Sequence, residues 1–595
     1  MDRHAVALTL EEIATLLDAT DENRFKVRAF RTAARTVDRT DRDLPALVAS
    51  GTLGSLPGIG PATARIIEEL VTTGESRYLT DLRERAPSGM RAMLRVPGIG
   101  PKKIHLLHEQ LGVTDLDSLE AAARAGRIAG VRGFGEHTQQ RILEGLGFAR
   151  AVAGRRRLHQ AQEAAARVAG LITALPGVRE AAVAGELRRG LEIVDGIVFV
   201  VVTDAPAADL MRTLRATSSL PWIEGGASVL RATFGDGLPA EIRITGSAGA
   251  GAALLDATGN AAHVGALRRA AADRDLRLDA DGLHPTDAAD ASAHTSVHET
   301  QTAEQGEAAV YAALGMAWVP PELRDGLAEL DAARAGTLPR LLRLEDLRGC
   351  FHCHTTYSDG KATLQEMAAG AIALGWDYLG IADHSRNAGY AGGLSTGQIR
   401  RQQREIARWN AERGDELWLF SGIEADILQD GRLDYAAQGQ DAVLESFDYV
   451  IGSVHSHFRM DRRAMTARLS RAASDARLTI LGHATGRLLL LRDGYEIDMD
   501  VVIQHAADGG AAIEINADPH RLDMSWQHWP LARRLGVRCA INPDAHSVAG
   551  MQNVQYGVTI ARRAWLTPAD VINAWSRADV FAYLDEKKRR RAEAH

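Results

Sequence analysis

From Cys350 onward the chain repeats one grammar: an apolar run of strand length stops at a metal-ligand side chain and then a small or turn residue. The pieces are FHCHTTYSDG, YLGIADHS, LFSGIEADIL, YVIGSVHS, LTILGHATG and CAINPDAHS. They carry His352, His354, Asp359, His384, Glu424, His455, His483, Asp544 and His546. Short buried strands that each end in chemistry are how barrel-type α/β enzymes are built. His352 and His354 form an H-x-H, so strand alternation puts both imidazoles on one face, where they can address one metal or a bridged pair. Asp359 follows in a turn that can return a carboxylate over them. Nine ligands suit three metal ions rather than one, and imidazole mixed with bridging carboxylate suits Zn²⁺, Mn²⁺ or Fe²⁺ better than Ca²⁺ or Mg²⁺. A lone histidine at a strand end is more often a hydrogen-bonded core or rim residue than a ligand; nine in one pattern are not explained that way.

The remaining residues of this segment read differently. His457, His505, His520 and His528 fall outside the pattern and are expected at the surface or the substrate rim. Asp383 is expected to orient a neighbouring group. Arg487 reads as a helix-surface arginine, with contact to a substrate phosphate as the sharper alternative. Cys350 and Cys353 make a C-x-x-C, but alternation turns Cys353 away from His352 and His354, which argues against a redox or zinc-ribbon role.

At 595 residues and 46% hydrophobic, the chain is too long for one core and should divide into several domains. Three cysteines cannot make a disulfide framework, and neither a signal-type apolar region nor a membrane-length apolar run is present. A reducing cytoplasm is the expected compartment. The net charge of -8 argues against blanket nucleic-acid binding while leaving room for a basic face on one module.

The N-terminal third supplies such a module. LPGIGPATARIIEEL, VPGIGPKKIHLLHEQL and VRGFGEHTQQRILEGL each place a Gly-x-Gly turn before a helix start, with Gly58 and Gly60, Gly98 and Gly100, and Gly133 and Gly135 as the glycines. Backbone N–H groups and a positive helix end then face one point, which grips a phosphate without reading bases. One copy is as well explained by a tight helical hairpin; three copies point to helix-hairpin-helix modules. Lys102 and Lys103 make the second copy the best DNA contact, whereas His137 in the third is a weaker donor at neutral pH.

At this point the chain resembles a known family. ENRFKVRAFRTAAR, the three hairpins, AGELRRG, PPELRDGLAEL and the histidine-rich segment follow one another as in bacterial family X DNA polymerases with a C-terminal PHP (polymerase and histidinol phosphatase) domain. The resemblance implies a multidomain α/β chain. Residues 1–80 would form a small helical domain with the first hairpin, and 81–150 a fingers-like helical region with the other two. A nucleotidyltransferase-type α+β palm would occupy 151–250, a thumb 251–335 and a linker 336–347. A distorted (β/α)7 PHP barrel over 348–585 and a basic tail over 586–595 complete it. Within this frame the stretch from Asp279 to Thr302 reads as a loose insertion in the thumb, and the run Lys587 to Arg591 as a solvated helix end, with a DNA-backbone contact as the alternative.

Against the same family the palm departs. After Arg188 and Arg189 the family continues to Gly-Asp-x-Asp, whose carboxylates hold Mg²⁺ for phosphoryl transfer; here the segment reads LEIVDGIVFVV. Gly196 and Val198 stand at the two aspartate positions and Asp195 at the glycine. Sliding the register by one pairs Asp195 with Ile197, because side chains on one face are spaced by two. The third acid appears as Glu241, and the phosphate-binding Gly-Ser as Gly185-Glu186, an anion where a triphosphate would sit. Asp256, Ala257, Thr258 and Gly259 replace the aromatic sugar platform, and Val264 the asparagine that follows. In the first hairpin, Ile66 stands where relatives with Schiff-base lyase activity carry a lysine; Lys26 is the remote substitute.

The ligand set leads to a metal-dependent phosphoesterase with DNA as its substrate, and the family resemblance implies a repair enzyme acting as a 3'-5' exonuclease, 3'-end-processing or abasic-site enzyme, on a polymerase frame whose synthesis and lyase sites are expected to have decayed. Three divalent ions, Mn or Zn with Fe as a further option, would serve the PHP site, while Mg at the palm is doubtful. Gapped, nicked or 3'-blocked DNA is the expected partner, bound without sequence preference by a monomer in a bacterial cytoplasm, at the nucleoid. Two other classes stay open: a working polymerase and exonuclease using Glu192, Asp195 and Glu241, and a small-substrate phosphatase of the histidinol phosphatase type.

Overall fold

The computed structural model describes residues 3–19, 24–40, 42–74, 76–85, 89–94, 96, 99–152, 154–217, 223–233, 237–286 and 302–593. Two compact units emerge, Met1–Ala153 and Gly154–His595.

The first unit is helical throughout its described residues. Leu10, Ile13 and Leu17 of helix Arg3–Ala19 and Phe30 and Val37 of helix Arg24–Arg39 are buried at helical spacing, leaving Arg24, Arg28 and Arg35 exposed. In each Gly-x-Gly segment the second glycine, Gly60, Gly100 or Gly135, is the N-cap of the helix that follows: Pro61–Thr73, Pro101–Leu111 or Glu136–Ala151. Gly58 and Gly133 adopt φ of +78° and +91°, conformations open to glycine and not to L side chains. Gly98 lies outside the described residues.

The second unit begins with helix Leu158–Thr173 packed on a five-stranded sheet ordered 178–184, 197–203, 239–245, 229–233, 223–226. The segment LEIVDGIVFVV supplies strand 197–203, which pairs in parallel with 239–245 so that Val198 lies opposite Glu241. Beyond the palm, Leu276–Asp279 and Gly282–Pro285 form an antiparallel hairpin. The segment read as a loose insertion therefore opens with regular structure; its residues 287–301 lie outside the described ones.

Seven parallel strands, Gly349–Cys350, Tyr378–Ile381, Trp418–Asp426, Tyr449–Ser453, Ile480–Leu481, Ala512–Asn516 and Cys539–Asn542, pair in sequence order. A single bridge, Cys353 to Ala545, nearly closes them into a barrel. The strands read as continuous apolar runs because helices cover them outside and side chains fill them inside. The sixth strand, in GGAAIEINADPH, was not among the runs singled out in the sequence.

Two expectations are corrected here. Arg487 is neither a surface residue nor turned to solvent: its guanidinium donates to Glu192 at 2.6 Å and to the carbonyls of Arg521 and Leu522, fastening the palm to the barrel. The basic run is a solvated end only in part: Arg589 and Arg590 are exposed, but two of its cations turn inward. Helix Arg577–Glu593 packs down, Lys587 and Arg591 are buried, and Lys587 Nζ donates to Gly509 O at 2.9 Å, placing cationic groups at a helix C-terminus.

Candidate metal centre

All nine side chains singled out between His352 and His546 meet at the C-terminal mouth of the barrel. Glu424, on the third strand and fully buried, is the hub. His352 Nε2, His455 Nε2 and His483 Nε2 lie 3.3, 3.2 and 3.2 Å from its Oε1, and His384 Nδ1 lies 2.8 Å from its Oε2. His354 Nε2 sits 3.1 Å from Asp544 Oδ1, and Asp359 Oδ1 approaches His546 Nε2 at 3.3 Å. Three sets have ligand atoms mutually within 4.8 Å: His354, Asp359, His384 and His546; His352, His354 and Glu424; and His384, Glu424 and His455.

Local sequence explains how each residue arrives there. A Cβ on Gly360 would come within 2.6 Å of the His354 carbonyl carbon, so glycine lets the loop fold back and carry Asp359 over the strand ends. Asp544 adopts φ of +51°, a costly conformation for a non-glycine residue and of a kind that persists where function holds it. Asp383 accepts from Thr355 N, Thr355 Oγ1 and Ser358 Oγ, as expected of a residue that orders its neighbours.

Burial by itself would push the Glu424 carboxyl up, yet the imidazoles of His455, His384 and His352 hold it well below the usual carboxylate range. Burial opposes charge on His455 too, but Glu424 and Asp426 raise it to about 10; Asp359 and Asp544 likewise raise His546 to about 9. Carboxylate anions are thus matched by imidazolium protons, the charge pattern a divalent cation would replace. The donor set also fits metal geometrically. His352 Nε2, His354 Nδ1, His384 Nδ1 and Glu424 Oε2 are buried and crowd together without making a hydrogen bond.

Sequence reasoning passed over the residues that aim these ligands. Glu514, on the unread sixth strand, accepts from His352 Nδ1 at 2.7 Å and from His483 N at 2.7 Å. Asp426 accepts from His455 Nδ1 at 2.6 Å, and Asn516 Nδ2 donates to Asp544 Oδ2 at 3.1 Å. These contacts turn the opposite imidazole nitrogen, or the other carboxylate oxygen, toward the centre. The available signal was an acid inside an otherwise apolar strand.

The four other histidines stay out of the cluster: His457 and His520 are exposed, His505 and His528 partly buried. Cys350 and Cys353 lie with their sulfurs 3.4 Å apart in the apolar core.

In the palm, Gly185, Glu186, Arg189, Asp195, Gly196, Val198, Arg231 and Glu241 line one cavity. A Cβ on Gly185 would touch Val198 Cγ2 at 3.2 Å, so an apolar side chain fills the floor beside Glu241. Glu241 accepts from Arg231 at 2.8 Å and Arg243 at 2.7 Å. Asp195 pairs with Arg155 at 2.8 Å, and Glu192 with Arg487. Among the described residues the palm holds no trio of ligand atoms like those of the barrel. Arg188 forks onto Glu307, with both contacts at 2.9 Å, and donates to Thr258 Oγ1 at 2.8 Å; Arg189 donates to Thr258 O. Asp256 is held between Arg243 and Arg268, and Val264 is buried.

In the helical unit Lys102 is exposed, while Lys103 is half-covered, its Nζ 5.5 Å above the Phe134 ring of the third hairpin. Ile66 is buried in the first hairpin helix, and Lys26 lies on the exposed side of its own. No described helix is long and apolar enough to cross a membrane.

Family profiles match the chain in four places: a helix-hairpin-helix domain over 1–76, a SAM-like helix-hairpin-helix tandem over 90–147, the DNA polymerase beta thumb over 253–325 and a PHP domain over 351–518. The DNA polymerase/3'-5' exonuclease PolX of Bacillus subtilis (strain 168) is 32% identical over 586 residues, covering 98% of this chain and 99% of that one. A "Probable phosphatase" of Caldicellulosiruptor saccharolyticus is 30% identical over 206 residues, covering 33% of this chain and 78% of its own. One from Thermoanaerobacter sp. (strain X514) is 25% identical over 252 residues, covering 40% and 95%.

Proposed function

The chain belongs to the PolX family of DNA polymerases and 3'-5' exonucleases, with helix-hairpin-helix, thumb and C-terminal PHP domains, and within that family we propose that it is a DNA phosphoesterase that no longer synthesises DNA. The cluster around Glu424 carries this reading. His352, His354, Asp359, His384, Glu424, His455, His483, Asp544 and His546 would hold divalent ions, three by ligand count and Mn, Zn or Fe by ligand type. When bound, such ions supply the Lewis acidity that lowers the pKa of a water and stabilises the leaving oxygen of a phosphodiester.

The protein's own residues supply position and charge. Glu514 and Asp426 hold the His352 and His455 rings in one orientation, so their free nitrogens face Glu424. Asp359 and His546 are the more open side of the cluster and mark where substrate would approach. The three hairpins, capped by Gly60, Gly100 and Gly135, offer backbone amides to the DNA phosphates without choosing a sequence. The products would be a shortened strand and a released nucleotide, or a cleared 3' end.

Loss of synthesis follows from the palm chemistry. Phosphoryl transfer from a nucleotide needs metal ions held at the palm strand, and neither Gly196 nor Val198 can ligate one. Glu241 is neutralised by two guanidiniums, and Arg188 is committed to Glu307. Ile66 removes the amine a lyase would use.

The test is His352→Ala with His354→Ala. Hydrolysis of a 3'-labelled duplex should fall at least a hundredfold, while binding in a mobility-shift assay persists; hydrolysis at the wild-type rate would remove the cluster from the mechanism.

A further inference from the structure

His384 is followed by a loop, Ser385 to Leu394, that returns to the strand it left. Leu394 N donates to His384 O at 2.9 Å, Ser385 N to Glu424 O at 2.9 Å and Asn387 N to Asp434 Oδ2 at 2.8 Å. The buried Tyr435 hydroxyl accepts from Arg386 N at 3.1 Å and donates to Leu394 O at 2.5 Å. Gly393 closes the loop where no other residue fits, since a Cβ there would lie 1.9 Å from Ser385 O. The chain is thus held rigidly on both sides of a single helical turn, Gly389–Ala391.

Tyr390 sits at the apex of that turn and is 72% exposed. Its ring centre lies 6.2 Å from that of His384 and 6.3 Å from that of His455, beside the cluster. In this unit it is the one aromatic among the described residues left broadly open to water. Burial does not account for it, and a fixed loop presents its face next to the reacting centre.

We propose that Tyr390 is a stacking platform for the base of the 3'-terminal nucleotide. The proposal rests on the hydrolase reading above and names the subsite that reading lacks. Every base offers a π face, so a single ring serves all four, in keeping with hairpins that read no sequence. The cluster handles the ester; the tyrosine favours a terminal nucleotide that carries its base.

The experiment uses the full-length protein with Mn²⁺ and two 5'-labelled duplexes, one ending in an ordinary 3' nucleotide and one in a 3' residue lacking its base. Metal content is measured for wild type, Tyr390→Ala, Tyr390→Phe and Tyr390→Trp. Wild type should prefer the base-bearing end in kcat/KM, and Tyr390→Ala should lose about 10-fold on that end. The preference should collapse in the alanine variant and survive in the Phe and Trp variants. A preference unchanged in Tyr390→Ala overturns the platform, as does an equal loss on both ends in Tyr390→Ala and Tyr390→Phe, which would assign the hydroxyl to the phosphate. If wild type cleaves neither end, the hydrolase reading itself fails and the platform with it.

Discussion

Glu424 shows what single residues contribute here. One carboxylate, held anionic by three imidazoles, sets the spacing of the cluster. Glu424 and the eight residues around it are legible because each is a ligand type at or near the end of an apolar run. Glu514 and Asp426 were not, because nothing in a run such as AAIEIN says which imidazole the acid will meet. Glu307 in the thumb was equally hidden. Buried and forked by Arg188 and Arg324, it is held down at about 2, despite a burial that would raise it. Its folded pKa lies below the unfolded one near 4.5, so its contribution is present in full above about 4.5 and lost as pH falls toward 2. Glu307→Gln should cost about 3–5 kcal/mol at neutral pH by stranding two guanidiniums. In urea unfolding the gap to wild type should narrow between about pH 4.5 and 2.5; a gap constant across that window would mean the carboxylate is not ionised in the fold.

At the scale of elements, the hairpins and six of seven barrel strands follow from local pattern: Gly-x-Gly before a helix, or an apolar run before a turn. The C-terminal helix did not follow. A run of five basic residues looks solvated, and only the carbonyl of Gly509 at the end of another helix explains why Lys587 turns inward. The hairpin hypothesis has an electrostatic consequence. Lys102→Ala with Lys103→Ala should weaken DNA binding and reduce the slope of log K against log salt by about 1–2, since each phosphate contact contributes about 0.9. Because Lys103 also covers Phe134, Lys103→Met is the better single control for packing. An unchanged slope would make the second hairpin structural.

At the scale of the whole molecule, one chain carries two potential phosphoryl-transfer sites whose residues have gone opposite ways. Barrel ligands converge with orphaned atoms between them, whereas Glu186, Glu192, Asp195 and Glu241 of the palm each face a guanidinium or a backbone amide. Family order made this contrast readable in the sequence. What the sequence could not supply was the engagement of the palm by its surroundings, with Glu192 on Arg487 and the carbonyl of Arg189 on Arg563, contacts that tie palm to barrel across hundreds of residues. The most direct measurement is a gel assay of the purified protein with Mn²⁺ on a 5'-labelled primer annealed to a gapped template, with and without deoxynucleotides. Shortening in both lanes is the predicted result. Extension in the presence of nucleotides would contradict the account, because other carboxylates would then have to assemble a working palm.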